Sequence, residues 1–320
     1  MIKILAIMCA MTIEARQQVA RYYDAYGDAE WHRLTGDVAG RVSLEVHRRF
    51  LARFVRPGHR VLEVGAGPGR FTAELAALGA SVVVTDFSPV QLALNEERLR
   101  GGAAESSVER REVVDVCDTS RYADGEFDLV LVYGGPLSYA FEQARDALSG
   151  LLRITRPGGQ VVGSVMSLLG TWRHFLPGAV KVAEAIGEDA NDLILRTGDL
   201  RHKGDQDGHV CRMFRHRELA ELVQDAGGEI VAASASNWAT LGDREALAAL
   251  ESDPGRWARF LEHEIAACQE PGAVDGGTHI LFACVAMSKA ARVATSTAAR
   301  AATSTGGGVT STAAGVKRSG

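Results

Sequence analysis

Paired cysteines are missing from this sequence. The five cysteines, Cys9, Cys117, Cys211, Cys268 and Cys284, are odd in number, far apart and never spaced CxxC. That excludes a disulfide framework and a cysteine-rich zinc site as the organising principle, and a reducing, cytoplasmic compartment is the simplest expectation. An excess of positive charge is missing too. Lys plus Arg number 35 against 40 for Asp plus Glu, a formal charge of −5, so nothing draws the chain as a whole to phosphate backbones or anionic lipid. Long apolar runs are absent. The opening run, residues 4–11, follows a single lysine, is too short to span a bilayer and has no small-residue cleavage site after it. No internal repeat is visible.

What is present is ordinary globular composition, 46% hydrophobic and 23% charged. Met11 opens a polar, helix-like stretch, so residues 1–11 are expected to be a non-native or disordered start; the intact mass of protein made from the native transcript decides this. From Ala290 onward the chain is almost wholly Ala, Ser, Thr, Gly, Val and basic residues. Such a segment has too little apolar surface to offset its ordering entropy, and residues 290–320 are expected to be a disordered tail. Between the ends, short β-branched runs alternate with helical stretches, the pattern of a parallel sheet covered on both faces. Strands are expected at 60–64, 81–86, 112–116, 127–133, 160–166, 229–233 and 278–286, seven in all. Helices fit the gaps. Phe71, Leu75 and Leu78 share one helical face ahead of Gly79, and Ser88, Pro89 and Gln91 stand as cap, first residue and capping-box partner of the next helix. A helix over 141–155 runs into the Arg156-Pro157-Gly158-Gly159 turn. Residues 171–211 read as an insertion or lid, 209–214 as a strand entering a helix at 216–226, and 245–269 as helices. Helices over 12–26 and 41–55 are expected to pack outside the core or over a ligand mouth.

The most informative segment is Arg60-Val-Leu-Glu63-Val-Gly65-Ala66-Gly67-Pro68-Gly69-Arg70-Phe71. It reads as a buried strand that turns through three glycines into a helix, and glycine there lets a ligand approach the backbone. The spacing is GxGxG, so the GxGxxG dinucleotide fingerprint is not met, and no Gly-Lys-Ser/Thr follows to make a phosphate loop. A carboxylate at Glu63 repels phosphate and suits a cationic or zwitterionic ligand. Asp86, at the end of the second strand, is placed to accept from a ribose diol. Asp115, at the end of the third, is placed to accept from an adenine amine while the Val116 N–H donates to a ring nitrogen. Ligands of open α/β sheets gather at the carboxyl ends of strands, so the three acids are expected to converge on one crevice.

At these residues the sequence resembles the class I S-adenosylmethionine-dependent methyltransferases. The pieces are Glu63-Val-Gly-Ala-Gly-Pro-Gly69, Thr85-Asp86-Phe87-Ser88, Val114-Asp115-Val116-Cys117-Asp118, Phe127-Asp128-Leu-Val-Leu131 and Arg156-Pro157-Gly158-Gly159. The resemblance implies an α/β, Rossmann-like seven-stranded mixed sheet with helices on both faces and an antiparallel last strand. It also implies S-adenosylmethionine as cofactor. Carried over by position, Glu63 with Gly65, Ala66, Gly67 and Gly69 would hold the amino-acid end, Asp86 the ribose, Phe87 an adenine face, and Asp115 with Val116 the adenine edge. Tyr133 and Gly134 would line the methionine side. The methyltransferase domain would span 12–289, with an N-terminal helical lid at 12–56 and an insertion at about 167–210. The Tyr22-Tyr23-Asp24 helix and the run Gly135-Pro136-Leu137-Ser138-Tyr139 look like the lid and post-strand loop of small-molecule members. No Asn/Asp-Pro-Pro-Tyr/Phe follows the fourth strand, which disfavours base and glutamine methylation.

The expected reaction is methyl transfer to a small-molecule acceptor, in which positioning and water exclusion are the main work. If the acceptor is a hydroxyl, Tyr139 and His174 are the candidate bases. Tyr23, Tyr139, Trp172 and His174 are the candidate acceptor-binding residues, with Phe175 extending an aromatic wall. His202, His209, Cys211 and His216 do not reproduce a zinc spacing and stand among Arg212, Arg215 and Arg217, so no metal is expected. Competing expectations are a tRNA or protein methyltransferase, or a nucleoside-binding protein of the same fold without catalysis. The sequence is silent on oligomeric state.

Overall fold

The computed structural model describes residues 2–204, 208–241 and 244–287, and side chains from Glu14 onward except at 241 and 244. The expected tail, 290–320, lies outside them. Seven strands, β1 (Arg60–Val64), β2 (Ser81–Asp86), β3 (Val108–Val113), β4 (Phe127–Val132), β5 (Thr155–Met166), β6 (Gly228–Ala235) and β7 (His279–Ala286), form one sheet in the order β3-β2-β1-β4-β5-β7-β6. β1 to β5 pair in parallel, and β7 runs antiparallel to both β5 and β6. Both faces of the sheet are apolar. Leu62, Val83, Val130, Val161 and Phe282 join one core, while their neighbours Val61, Val82, Leu129, Val162 and Leu281 join the other, the period-two alternation of a strand buried on both sides.

The first helices are α1 (Ile2–Tyr26), α2 (Ala29–His32), α3 (Val38–Ala52), α4 (Arg70–Ala77) and α5 (Pro89–Leu99). After β4 come α6 (Pro136–Tyr139), α7 (Ala144–Ile154), α8 (Leu168–His174), α9 (Leu176–Ile186), α10 (Glu188–Thr197) and α11 (His216–Asp225), then α12 (Arg244–Glu251) and α13 (Pro254–Cys268). α7 and α11 cover one face of the sheet, and α3, α4, α5 and α13 the other. α3 is therefore part of the core: Val42, Val46, Phe50 and Leu51 pack on the sheet, and the helix starts at Val38 because Asp37 caps it through Gly40 N–H at 2.7 Å. α1 is continuous from Ile2, so residues 2–11, set apart in the sequence as a separate start, extend that helix.

Three expectations are corrected. The third strand spans Val108–Val113 and not 112–116. It lies at the sheet edge and pairs only with β2, so it tolerates Glu109, Arg110, Arg111 and Glu112, which hide it from a search for apolar runs. Residues 209–214 make isolated bridges, Phe214 beside Ser167 and Arg212 beside Asp199, and add no strand to the sheet. The Ser88 cap forms, accepting from Gln91 N–H at 3.1 Å, but the Ser88 N–H donates to Asp86 Oδ1 at 2.8 Å and not to the Gln91 side chain, so the capping box is not completed.

The Gly65-to-Gly69 turn is held from beneath by a buried polar chain. Thr72 Oγ1 donates to Glu63 Oε2 at 2.6 Å, Asn95 Nδ2 donates to Thr72 Oγ1 at 3.0 Å, and Arg111 Nε donates to Asn95 Oδ1 at 2.9 Å. Gly69 is left-handed, and a Cβ there would stand 2.9 Å from Asn95 Nδ2. Its glycine makes room for helix packing as much as for a ligand.

Candidate functional site

The order of the sheet reverses between β1 and β4, and the loops leaving those two strands open a crevice at their carboxyl ends. A cavity of about 130 Å³ lies there. Its walls bring together Gly65 after β1, Asp86 and Phe87 after β2, Asp115 and Val116 after β3, and Gly134 after β4. Asp86 is the best-anchored of these. Its Oδ2 accepts from Gly67 N–H at 2.9 Å and its Oδ1 from Ser88 N–H at 2.8 Å, and the Phe87 N–H also bonds the carboxylate. Burial raises its pKa to about 6, with Asp24 adding to the rise. Asp115 stands two residues past the end of β3, where its Oδ1 accepts from Cys117 N–H at 2.9 Å.

Five of the residues read from the sequence do not line this cavity. Glu63 is 2% exposed and turned toward Thr72, and burial raises its pKa to about 8, with Asp86 adding to the rise. Its carboxyl is therefore mostly protonated at neutral pH and does not supply the negative charge expected of it. Ala66 and Gly67 lie in the turn itself, where Ala66 N–H bonds Thr85 O at 3.0 Å and Gly67 N–H bonds Asp86. Gly69 packs on Asn95. Tyr133 is 3% exposed, with its ring 4.9 Å from Phe71 and 5.0 Å from His47.

Sequence reasoning expected this first helix over the ligand mouth but named only Tyr23 among its residues there. Arg16, Val19, Ala20 and Tyr23 form one wall of the small cavity, together with Glu30 of α2, Gln91 of α5 and Pro136 of α6.

A larger cavity of about 760 Å³ adjoins it. Tyr23, Glu30 and Gly134 belong to both walls. Of the expected acceptor residues, Tyr23, Trp172 and His174 line the larger cavity and Tyr139 the smaller. α8, α9 and α10, the expected insertion, supply one side, including Leu168, Phe175, Val182 and Ile194. His47, His209, His279 and Arg33 were not foreseen. Burial lowers His47 and His209 to about 4 and pushes His279 well below its usual value, so all three are neutral at pH 7. Arg33 is paired to Glu30 by two hydrogen bonds of 2.8 and 2.9 Å. Tyr23 and Tyr139 share a 2.5 Å hydroxyl contact, and Tyr139 OH lies 3.1 Å from His209 Nε2. Burial pushes both phenols upward. Tyr139 therefore stays a neutral phenol. Of the histidine and cysteine run, His209 faces Tyr139, Cys211 is buried beside Leu168 and Ile194, and His216 begins α11.

A profile of the methyltransferase domain matches residues 61–159. Demethylmenaquinone methyltransferase of Mycobacterium marinum is 30% identical over 228 residues, 68% of this chain and 91% of that protein. The chain belongs to the class I S-adenosylmethionine-dependent methyltransferases. The Beutenbergia cavernae protein of the same name is 34% identical over 157 residues, 45% of this chain and 53% of its own length, so the chain spans about half of that relative. Among solved structures, a methyltransferase from Thermotoga maritima superposes with a TM-score of 0.52 at 16% identity, covering 83% of this chain and 99% of that one. The sheet order and the antiparallel β7 agree with that fold.

S-adenosylmethionine is the cofactor of this methyltransferase family, and the small cavity suits its chemistry. Gln91 belongs to its wall, and its Oε1 is buried with no hydrogen-bond partner among the described residues. Gly65 has no room for a side chain, since a Cβ would stand 2.5 Å from Pro136 Cγ, whereas a Cβ on Gly134 would meet nothing within 4 Å. Backbone and acid groups thus face an opening that admits hydroxyl and ammonium donors.

Proposed function

We propose that this protein transfers the methyl group of S-adenosylmethionine to a small acceptor with a largely apolar body. The observation that carries the reading is the meeting of the two cavities at Tyr23, Glu30 and Gly134, which joins the crevice at the strand ends to an acceptor chamber. Asp86 would accept from the ribose hydroxyls, Phe87 would cover an adenine face, and Asp115 with the Val116 N–H would read the adenine edge. Gly65 and Gly134 would leave the backbone open along the methionine portion. When bound, the cofactor supplies an electrophilic methyl group on a sulfonium with a good thioether leaving group. The chain's own work is then to align the acceptor and keep water out. The Tyr23–Tyr139–His209 chain carries no charge at neutral pH, so it would orient an acceptor hydroxyl by hydrogen bonds, and the neutral His209 imidazole is the group of the three that could take up its proton. Leu168, Phe175, Val182 and Ile194 give the chamber an apolar wall for the acceptor body.

The reading places the protein in the reducing cytoplasm, in keeping with the free thiols Cys117, Cys211, Cys268 and Cys284. Among the described residues no helix is long and apolar enough to cross a membrane. Relatives named demethylmenaquinone methyltransferase supply the first acceptor to try. Incubation with methyl-labelled cofactor and either demethylmenaquinone or whole-cell extract tests the proposal. Label is expected in an organic-soluble small molecule; label confined to RNA or protein, or to nothing, would overturn it.

A further inference from the structure

We infer that Arg16 of α1 is a latch on the adenine subsite, which the cofactor must displace in order to bind. This rests on the cofactor reading above and adds a competitor built into the chain. Asp115 and Phe87 are the two side chains assigned to adenine, and Arg16 engages both. Its Nη2 is ion-paired to Asp115 Oδ2, and its guanidinium carbon lies 5.7 Å from the centre of the Phe87 ring. Its Nη1 donates to Gln143 Oε1 at 2.7 Å, which fixes the head group from a third side. A guanidinium has the attributes by which adenine would be recognised there, N–H donors for a carboxylate and a flat face for an aromatic ring. Arg16 takes an acceptor position of Asp115 and stands against the Phe87 ring, so an adenine that engages both side chains competes with it for the same place.

The volume of the cavity agrees. At about 130 Å³ it falls below the roughly 300 Å³ at which ligand cavities begin. The site therefore opens before a nucleoside enters, and α1 is the wall in the way. Two further contacts fasten that wall, Asp24 to the Ser88 hydroxyl and Tyr23 O to Gln91 Nε2 at 2.8 Å. Because Tyr23 lies on the same helix and also faces the acceptor chamber, opening of α1 on cofactor entry reshapes that chamber as well.

Isothermal titration of the full chain with S-adenosylhomocysteine, comparing the parent protein with Arg16→Ala and Arg16→Lys, tests the latch. An apparent affinity is reduced by the fraction of molecules already open, so removing the latch tightens binding. A half-buried ion pair plus a cation–π contact corresponds to a gain of about three- to tenfold for Arg16→Ala. Arg16→Lys, which keeps the charge and loses the flat face, is expected to fall between. Adenosine should show the same gain and L-methionine none. Equal or weaker binding of S-adenosylhomocysteine to Arg16→Ala, or an equal gain for L-methionine, overturns the latch alone. Failure of both folded proteins to bind S-adenosylhomocysteine overturns the cofactor reading and the latch with it.

Discussion

Glu63 is a buried acid and Asp86 a half-buried one at neighbouring strand ends, and they stand in different places. Asp86 is the last residue of β2 and reaches the crevice, whereas Glu63 is one residue short of the end of β1 and faces α4 through Thr72. In a strand covered on both faces only the tip meets a ligand, which is why Asp86, Phe87 and Asp115 were legible from spacing and the role of Glu63 was not. The consequence is a pH dependence of stability. The folded pKa of Glu63 is raised from 4.5 to about 8, so its contribution is complete below pH 4.5 and is lost as pH rises through about 8. Glu63→Gln keeps an acceptor for Thr72 and carries no charge. Its melting temperature should match the parent's near pH 5 and exceed it at pH 9, by the equivalent of a few kcal/mol. Parallel melting curves for the two proteins over that range would count against the assignment.

At the scale of elements, the sheet was almost wholly readable because its strands are continuous apolar runs with turn signals between them. The exceptions share a cause. β3 is an edge strand whose charges are satisfied by ion pairs such as Arg60 with Glu109 and Arg111 with Glu105, and residues 209–214 spread their backbone bonds over Ser138 O, Gly198 O and Met166 O instead of forming a ladder with one strand. Both depend on tertiary partners that no local pattern announces. The inserted segment itself was recognised by its composition, but not as α8, α9 and α10 walling a chamber. α8 is docked by close backbone approach: a Cβ on Gly170 would stand 1.7 Å from Gly277 O. Gly170→Ala must push α8 away from the β7 end of the chamber. It should cost about 1–3 kcal/mol of stability and impair acceptor turnover while leaving S-adenosylhomocysteine affinity within about twofold. Loss of cofactor binding in a folded Gly170→Ala protein would show that the two cavities are not separable in this way.

For the molecule as a whole, two levels of order converge on one place. The 3-2-1-4-5-7-6 sheet creates a crevice where the order reverses, and the α1 and α8–α10 segments close over it from two sides. The sequence disclosed the first level through the glycine turn and the acids at strand ends. It disclosed the second as a helical lid and an insertion but not residue by residue, because Arg16, Arg33, His47, His209 and His279 come from segments far apart in the chain and meet only in the fold. The central claim is that this crevice binds a sulfur nucleoside through Asp86. The most direct measurement is calorimetric titration of S-adenosylhomocysteine into the parent protein and into an Asp86→Ala variant shown by its melting curve to be folded. The account predicts a loss of roughly 1.5–3 kcal/mol, the range for hydrogen bonds to a charged group, and an unchanged affinity would contradict it.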